Sequence, residues 1–425
     1  MINKNILIFI IFIISSKTYA IDILTGQDSL EFHGYFRGGL GSSESGATQA
    51  KFQAPGARAK YRLGNEPETN MELQLTYTYD MKEPENENSH VQGIIMLDGF
   101  KHHGESNSFT VDNLAQGYLS FNNFFNNEIK LWVGRRYYDR KSIHIMNHYW
   151  LNPGQRSQAG AGIEDINTGS GKLDIALFRY EDDFDINGTS HLINSTSIDT
   201  RWHDLNINDN LKLTLWAGLS LRHANDDLNY EDKSGYGLGG WLDHKHLNIK
   251  NTSVIIYQTG SAITQADFNP NPIREDKGWE LDNATALEIS NTLTYESLPD
   301  HSIQWTLLYR HEDHGFTENT DFSWYSTGAR PIFYFSKHIN LAFEAGIDYV
   351  DDEVNNRNGT LTKLSTVLQI SADRGLKSRP VLRFFVTLAE WSDELKGLIG
   401  HFPGNAPYAN DTQGWTVGAQ AEVWW

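Results

Sequence analysis

Apolar and polar residues alternate along most of this chain, and this period of two constrains its fold more than any other feature. In residues 30–40 the even positions are apolar or glycine, and the odd positions between them include Glu31, Tyr35 and Arg37. The same period returns in six further segments, which are 71–80, 211–222, 287–295, 303–309, 339–349 and 415–425. Because no helical period of comparable length competes with it, the sequence predicts an all-β protein whose strands each have one apolar and one polar face.

Two classes of protein have such strands, the soluble all-β domain and the membrane β-barrel. Polar stretches rich in Asn, Asp and Gly separate the alternating segments, including 82–90, 181–190, 225–237, 269–283, 351–359 and 403–414. Their uneven lengths are typical of a barrel with short turns at one rim and long loops at the other. The terminal Trp425 lies in the apolar phase, which suits the aromatic girdle of an outer-membrane barrel. We therefore favour a transmembrane antiparallel β-barrel and keep a secreted, soluble β-protein as the alternative.

The first twenty residues predict a secretory signal peptide. Lys4 precedes nine consecutive apolar residues, 6–14, and Ala20 ends the segment. The apolar run is too short to cross a membrane, which takes about 20 residues. Removal of residues 1–20 would leave one outer-membrane barrel domain, 21–425. At roughly 22 to 25 residues per strand with its share of loop, that length gives about 16 to 18 strands, enough to enclose an aqueous channel.

Charge and cysteine content exclude several functions. The chain has 35 Lys and Arg residues against 54 Asp and Glu residues, a formal net charge of −19, so nucleic acid is not an expected partner. The absence of cysteine excludes disulfides and thiolate metal sites. No catalytic motif is present, and an enzyme is therefore not predicted.

One segment resembles the start of a calcium-binding loop. Asp183, Asp185, Asn187 and Gly188 follow the required spacing, but the twelfth position is Asn194 where such loops carry Glu. We predict no cofactor, and a structural calcium ion at this loop is the alternative.

If the apolar face of the barrel meets lipid, the polar face lines the lumen. Tyr35, Trp391 and Trp424 fall in the polar phase, although an aromatic ring in a wet pore loses favourable burial. Stacking against the apolar face of a sugar ring would account for such rings, and packing against an inward loop is the alternative. A sugar site is the sharper hypothesis.

Charged residues also lie on the predicted lumen side. Arg58, Lys60 and Arg62 share one segment and Glu72 lies on the next. Opposite charges of this kind favour either a hydrogen-bonding track for sugar hydroxyls or a device that selects ions. Alternation alone does not separate the two.

Residues 135–160 interrupt the alternation and are too aromatic and basic for a solvated loop. A loop folded into the lumen, which Arg140 and Tyr149 would narrow, satisfies these groups. A loop that contacts a second subunit is the alternative.

Several stretches, in this order, resemble the maltoporin-like sugar porins of Gram-negative outer membranes. They are FHGYFRGGLG from Phe32, KYRLGNEPET from Lys60, LWVGRRYYDRKSIHIM from Leu131, GAGIEDINTGSGKLDIAL from Gly160, TGARPIFYF from Thr327, SRPVLRFFVTLAEW from Ser378 and VGAQAEVWW from Val417. The resemblance implies an 18-stranded barrel in contact with outer-membrane lipid and lipopolysaccharide, a homotrimer, and an inward third loop. It also implies an aromatic slide that guides sugars between polar tracks. The matching positions are Tyr35, Trp391 and Trp424 for the slide, Arg37, Arg62, Glu72 and Arg140 for the polar tracks, and Tyr149 for the constriction.

Some residues depart from the family pattern, and these departures affect which substrate is predicted. Asn70 stands where maltodextrin members have a further slide tyrosine, and Ser142 and Asn147 stand where they have acidic constriction residues. These changes weaken the prediction of long glucose chains. The resemblance therefore implies facilitated, passive diffusion of maltose, maltodextrins or related oligosaccharides, with a general ion and small-solute porin as the alternative.

Overall fold

The computed structural model describes residues 28–81, 88–123, 128–186, 188–265, 272, 278–318, 320–400 and 406–425. The predicted signal peptide, 1–20, lies outside these residues. Eighteen strands form one sheet, and two short strands, β6 and β7, form a separate hairpin. The strands of the sheet are β1 (Asp28–Ser42), β2 (Glu68–Asp80), β3 (His90–His102), β4 (Asn113–Asn122), β5 (Lys130–Arg135), β8 (Ser157–Asn167), β9 (Lys172–Ile186), β10 (Thr189–Asn208), β11 (Leu211–Arg222), β12 (Lys233–His246), β13 (Ile249–Thr259), β14 (Thr285–Ser297), β15 (His301–Asp313), β16 (Asp321–Tyr334), β17 (Ile339–Asp352), β18 (Arg357–Ser371), β19 (Val381–Trp391) and β20 (Gln413–Trp424). The hairpin strands are β6 (Lys141–Ile143) and β7 (His148–Leu151).

The sheet closes on itself. Each strand pairs antiparallel with its neighbour in the chain order of the eighteen, and β1 pairs with β20 as well as with β2. In the closing pair, Tyr35 lies opposite Trp424 and Arg37 opposite Glu422. The structure is therefore the predicted antiparallel β-barrel, with eighteen strands. Among the described residues, no helix is long and apolar enough to cross a membrane.

The two faces of the strands lie as the alternation predicts. Leu219 of β11 is 57% exposed on the outer surface, whereas Trp216 of the opposite phase is 2% exposed inside the barrel. Tyrosines on the outer surface gather near one rim, where the rings of Tyr309, Tyr325 and Tyr349 form a row with centroids 4.8 and 6.0 Å apart. Outward aromatics at a rim match the girdle of a membrane barrel.

The connections between strands differ in length at the two ends of the barrel. Connections 43–67, 136–156, 260–284 and 392–412 all lie at one end, which we call the loop end. At the other end, the turn end, the shortest connections are the pairs 209–210 and 247–248. The polar stretch 181–190 is predicted to separate two strands, and the structure corrects this prediction. β9 and β10 extend through it and leave only 187–188 between them, because their backbone groups continue to pair from Ile186 to Thr189.

Two of the long connections fold into the barrel. Connection 136–156 does so as predicted, and it carries the β6–β7 hairpin. Connection 43–67 also enters, which the sequence did not predict. Their apolar side chains pack against inward tryptophans of the wall and form the largest hydrophobic cluster among the described residues. Its members include Phe52, Tyr61, Ile145, Trp150, Trp216, Trp241 and Trp324.

Candidate solute site in the barrel lumen

Connection 43–67 lies against the inner wall through Tyr61. This side chain is buried, and its hydroxyl is 3.0 Å from Oγ of Ser326. The ring lies directly on the backbone of two neighbouring strands at Gly328 and Gly346. A Cβ atom at Gly346 would lie 2.0 Å from the ring, and one at Gly328 would lie 2.3 Å from it. Glycine is therefore required at both positions for the connection to approach the wall.

The next residues of this connection are held by polar groups of the wall. The backbone N–H of Leu63 donates to Oε1 of Glu344 at 2.8 Å. The carbonyl oxygen of Leu63 accepts from Nζ of Lys363 at 2.8 Å and from Oγ of Ser365 at 2.7 Å. Because both backbone groups are satisfied by buried side chains, the connection can stay inside the barrel without water.

Connection 136–156 lies beside the first one and is anchored at its tip. The backbone N–H of Arg62 donates to the carbonyl oxygen of Ile145 at 3.1 Å, which joins the two connections. Nε2 of His148 lies 2.9 Å from Oε1 of Glu288 on β14. The ring of Trp150 meets that of Trp241 with centroids 5.1 Å apart. The two connections together narrow the lumen.

A carboxylate near the C-terminus organises the lumen beside them. Oε1 of Glu422 accepts from the hydroxyl of Tyr35 at 2.9 Å and from Nη2 of Arg62 at 3.2 Å. Its Oε2 accepts from Arg379 and Arg383, each at 2.6 Å. One carboxylate therefore serves three guanidinium groups, and we call these charged residues, together with those of the next paragraph, the Glu422 network.

Arg37 extends this network to two further carboxylates. Its guanidinium lies 3.0 Å from Glu66 and 2.9 Å from Glu68, and it donates to the hydroxyl of Tyr35 at 3.1 Å. Arg62 also donates to Glu66 at 2.8 Å. Both arginines are buried, so these charge-assisted bonds fix the position of the Tyr35 ring.

Trp424 lies next to Tyr35 across the closing strand pair and is partly exposed to the lumen. The guanidinium carbon of Arg379 is 4.5 Å from the centroid of the Trp424 ring. This cation–π contact occupies one face of the indole and holds its orientation. Four of the predicted site residues, Tyr35, Arg37, Arg62 and Trp424, are thus brought together around Glu422.

Trp391 lies apart from this group, at the loop end of β19. Its ring packs against Phe52 at 6.0 Å and against Tyr408 at 6.3 Å between centroids, and it is 4% exposed. Within the described residues its indole Nε1 is buried without a hydrogen-bond partner. In this structure a solute reaches the ring only if Phe52 or Tyr408 moves.

Arg140 and Tyr149 lie close together in connection 136–156. The guanidinium carbon of Arg140 lies 4.2 Å from the ring centroid of Tyr137 and 5.3 Å from that of Tyr149. Burial, and then the charge of Asp98, raise the pKa of Tyr137 to about 12, so its hydroxyl remains a donor at neutral pH. Glu72, opposite Asp98 on the neighbouring strand, faces the same part of the lumen.

The sequence missed Glu422, Arg379 and Tyr137 as members of the site. Glu422 shares the lumen phase of Trp424, and that phase was the one available signal. Arg379 precedes a strand at the turn end, where alternation gives no direction to a side chain.

Comparisons with known proteins agree with this architecture. The family model described as LamB porin matches residues 30–425. The chain belongs to the LamB porin family. It is an outer-membrane β-barrel, and its family consists of channels rather than enzymes.

Solved structures similar to this LamB porin are distant in sequence. OccAB1 of Acinetobacter baumannii is 11% identical with a TM-score of 0.49, and the match covers 96% of this chain and 99% of that one. The outer membrane channel DcaP of the same organism is 14% identical with a TM-score of 0.48, covering 94% and 99%. OccD3 of Pseudomonas aeruginosa is 9% identical with a TM-score of 0.47, covering 96% and 93%.

A group of metal-ligating side chains lies near the turn end. Oxygen or nitrogen atoms of Asp165, Asp174 and His203 lie within 4.8 Å of one another. Lys130 and Lys172 already lie 2.8 and 3.2 Å from the Asp165 carboxylate. The two lysines therefore balance the charge of Asp165, and the closeness of the three side chains does not require a metal ion.

The segment predicted as the alternative calcium site forms the tip of the β9–β10 hairpin. The hydroxyl of Ser190 donates to the carboxylate of Asp183, and Asn187 lies outside the described residues. A calcium ion at this tip stays a prediction.

Replacement of Trp391 by phenylalanine in this LamB porin is expected to lower the free energy of unfolding by less than about 1 kcal/mol. Phenylalanine keeps the contacts with Phe52 and Tyr408 and removes a buried N–H that has no partner within the described residues. Urea denaturation of the lipid-inserted protein, followed by tryptophan fluorescence, measures the change. A loss above about 3 kcal/mol would show that the indole N–H is satisfied after all.

Proposed function

We propose that this LamB porin mediates passive, saturable diffusion of sugars across the outer membrane. The observation that carries the proposal is the pairing of Tyr35 and Trp424 on the lumen face, next to guanidinium and carboxylate groups. An aromatic surface binds the apolar face of a pyranose, while the charged groups hydrogen-bond its hydroxyls. Neither kind of group alone recognises a sugar.

The proposed path combines the predicted residues with the two connections that fold into the barrel. Tyr35 and Trp424 are the stacking surfaces, and Trp391 would be a further one nearer the loop end once its cover moves. Arg37, Arg62, Glu72 and Arg140 supply polar groups along the path, and Tyr149 narrows it beside Arg140. Each contact is weak, which passage requires because a solute has to leave the site as well as enter it. No cofactor enters this proposal.

We also propose that the protein is a homotrimer, as the resemblance to sugar porins implies. Chemical cross-linking of the purified protein would test this, and a product no larger than a monomer would contradict it.

The test of transport is planar-bilayer conductance during titration with maltose, maltotriose, sucrose and cellobiose. Saturable block of the current by one or more sugars is expected for a binding site in the pore. Trp424→Ala is expected to raise the half-blocking concentration about fivefold, because one stacking surface is lost. Trp415→Ala is the matched control, since Trp415 lies on the same strand and points outward.

Ohmic conductance without block by any sugar would instead favour a general porin for ions and small solutes. The uncharged Ser142 and Asn147 in the inward connection are the features that favour this second function.

A further inference from the structure

We propose that the solute this channel binds best is a saccharide that carries an anionic group. The inference rests on the proposed sugar-channel function and names the substrate class of the same site. Its basis is the charge of the two inward connections and of the Glu422 network, which is opposite in sign to that of the chain.

The two connections that fold into the barrel are basic. Connection 43–67 has four basic and two acidic residues, and connection 136–156 has four basic and one acidic residue. Their net charges are therefore +2 and +3, in a chain of net charge −19. The basic residues are Lys51, Arg58, Lys60 and Arg62 in the first connection and Arg136, Arg140, Lys141 and Arg156 in the second.

The excess of positive charge is concentrated beside Tyr35 and Trp424, which we call the stacking pair. Three carboxylates of the Glu422 network, from Glu66, Glu68 and Glu422, are shared by five cationic side chains. These cations are Arg37, Lys60, Arg62, Arg379 and Arg383. A buried cluster with more cations than carboxylates is stabilised by a further anion.

Among the described residues, two buried donors of the network lack a hydrogen-bond partner, against one buried acceptor, Oε2 of Glu68. Nε of Arg37 and Nε of Arg383 are buried, and neither has a hydrogen-bond partner within the described residues. Burial, and then the neighbouring charge of Arg383, lower the pKa of Arg379 to about 9, so it still carries its charge at neutral pH.

The same positive field reaches the tip of connection 136–156. Burial holds the pKa of His144 well below its ordinary value, and Arg62, Arg330 and Arg379 lower it further. His144 is therefore neutral at physiological pH and adds no charge of its own. Its Nε2 is buried, and no hydrogen-bond partner for it lies within the described residues.

Two buried arginines elsewhere in the lumen each have two carboxylate partners, whereas Glu344, which holds Leu63, is shared by Arg330 and Lys363. Arg310 lies between two carboxylates, 3.0 Å from Glu288 and 2.5 Å from Glu312. Arg201 lies 2.8 Å from both Asp199 and Asp139. An anion entering the barrel is attracted to the stacking pair rather than to Arg310 or Arg201.

Lys60, which joins the network through Glu68, is the cation best placed to meet a solute. Its side chain is 18% exposed, and its only carboxylate contact within the described residues, with Glu68, is 3.5 Å long. A flexible ammonium group with a weak partner can turn to a ligand carboxylate or sulfate without breaking the network. The sugar ring would stack on Tyr35 and Trp424 while its anionic group meets Lys60.

The experiment is current block in planar bilayers by digalacturonate, with maltose and cellobiose as neutral disaccharides and potassium sulfate as a simple anion. We expect the half-blocking concentration of digalacturonate to be about tenfold lower than that of either neutral sugar. Lys60→Gln is expected to raise the half-blocking concentration of digalacturonate about fivefold. Lys60→Arg keeps the positive charge and is expected to give the concentration of the unchanged protein. Lys250→Gln, which removes the same charge from an exposed site on β13, is expected to leave it unchanged.

The contrary outcomes are distinct. Equal or stronger block by the neutral sugars would overturn the inference and leave the sugar channel standing. Block by sulfate as strong as that by digalacturonate would overturn it also, because the sugar ring would then contribute nothing. Absence of block by every saccharide would overturn the inference and the proposed function together.

Discussion

Replacement of Glu422 by glutamine is expected to lower the free energy of unfolding by about 4 kcal/mol, because it leaves buried guanidinium groups without a counter-ion. Arg62, Arg379 and Arg383 all lie within 3.2 Å of this carboxylate, which is 1% exposed. A neutral amide presents two N–H donors toward these donors and keeps only one acceptor oxygen. The hydroxyl of Tyr35 loses its ionised acceptor as well.

The destabilisation is measurable by urea titration of protein refolded into lipid vesicles, with tryptophan fluorescence as the readout. Glu31→Gln is the matched control on β1, since Glu31 is 38% exposed and pairs only with His33 within the described residues. The control is expected to change stability by less than about 0.5 kcal/mol. A Glu422→Gln variant as stable as the control would mean that water or ions neutralise the arginines, and the network would lose its structural role.

The strand faces were predictable because a membrane barrel imposes one rule on every strand. Outward residues meet lipid and inward residues meet the lumen, so a period of two assigns each side chain from the sequence alone. That rule placed Tyr35, Arg37 and Trp424 on one surface before any pairing was known. The length of the chain gave a range of strand numbers that includes the observed eighteen.

The inward path of connection 43–67 was not predictable in the same way. Its residues form no strand of the sheet, and its burial depends on Gly328 and Gly346, nearly three hundred residues away in sequence. A period of two describes only neighbouring residues of one strand. It cannot predict the contact between Tyr61 and two glycines that lie far away in the sequence. The alternation did place Arg58 and Lys60 on the lumen side, and both are partly exposed there, unlike the buried Tyr61.

Trp391 shows that the phase of a residue in its strand does not determine whether a solute can reach it. Its phase is inward, as predicted, but Phe52 and Tyr408 from two different connections cover its ring. Phase fixes the side of the wall on which a residue lies, whereas accessibility depends on what the loops place over it. The assignment of Trp391 to a sugar path therefore stays a prediction.

Gly346→Val is expected to detach connection 43–67 from the wall and to raise the single-channel conductance. The new Cβ would lie 2.0 Å from Cδ2 of the Tyr61 ring, and two further ring atoms would lie within 2.4 Å, so the ring has to leave its place on the wall. Expulsion of the ring exposes a buried tyrosine and breaks its bond to Ser326, with a loss of about 3 kcal/mol in the free energy of unfolding. The lumen widens because the connection that fills it is no longer held.

Single-channel recording gives the conductance, and limited proteolysis between residues 47 and 67 reports the release of the connection. Gly93→Val is the matched control, because a Cβ at Gly93 would meet only Leu119 at 3.6 Å, an ordinary contact on an outward face. A Gly346→Val channel with the control's conductance and protease resistance would show that the hydrogen bonds of Arg62 and Leu63 hold the connection without the Tyr61 contact. Increased conductance in Gly346→Val but not in Gly93→Val identifies the contact of Tyr61 with the wall as the element that sets the width of the pore.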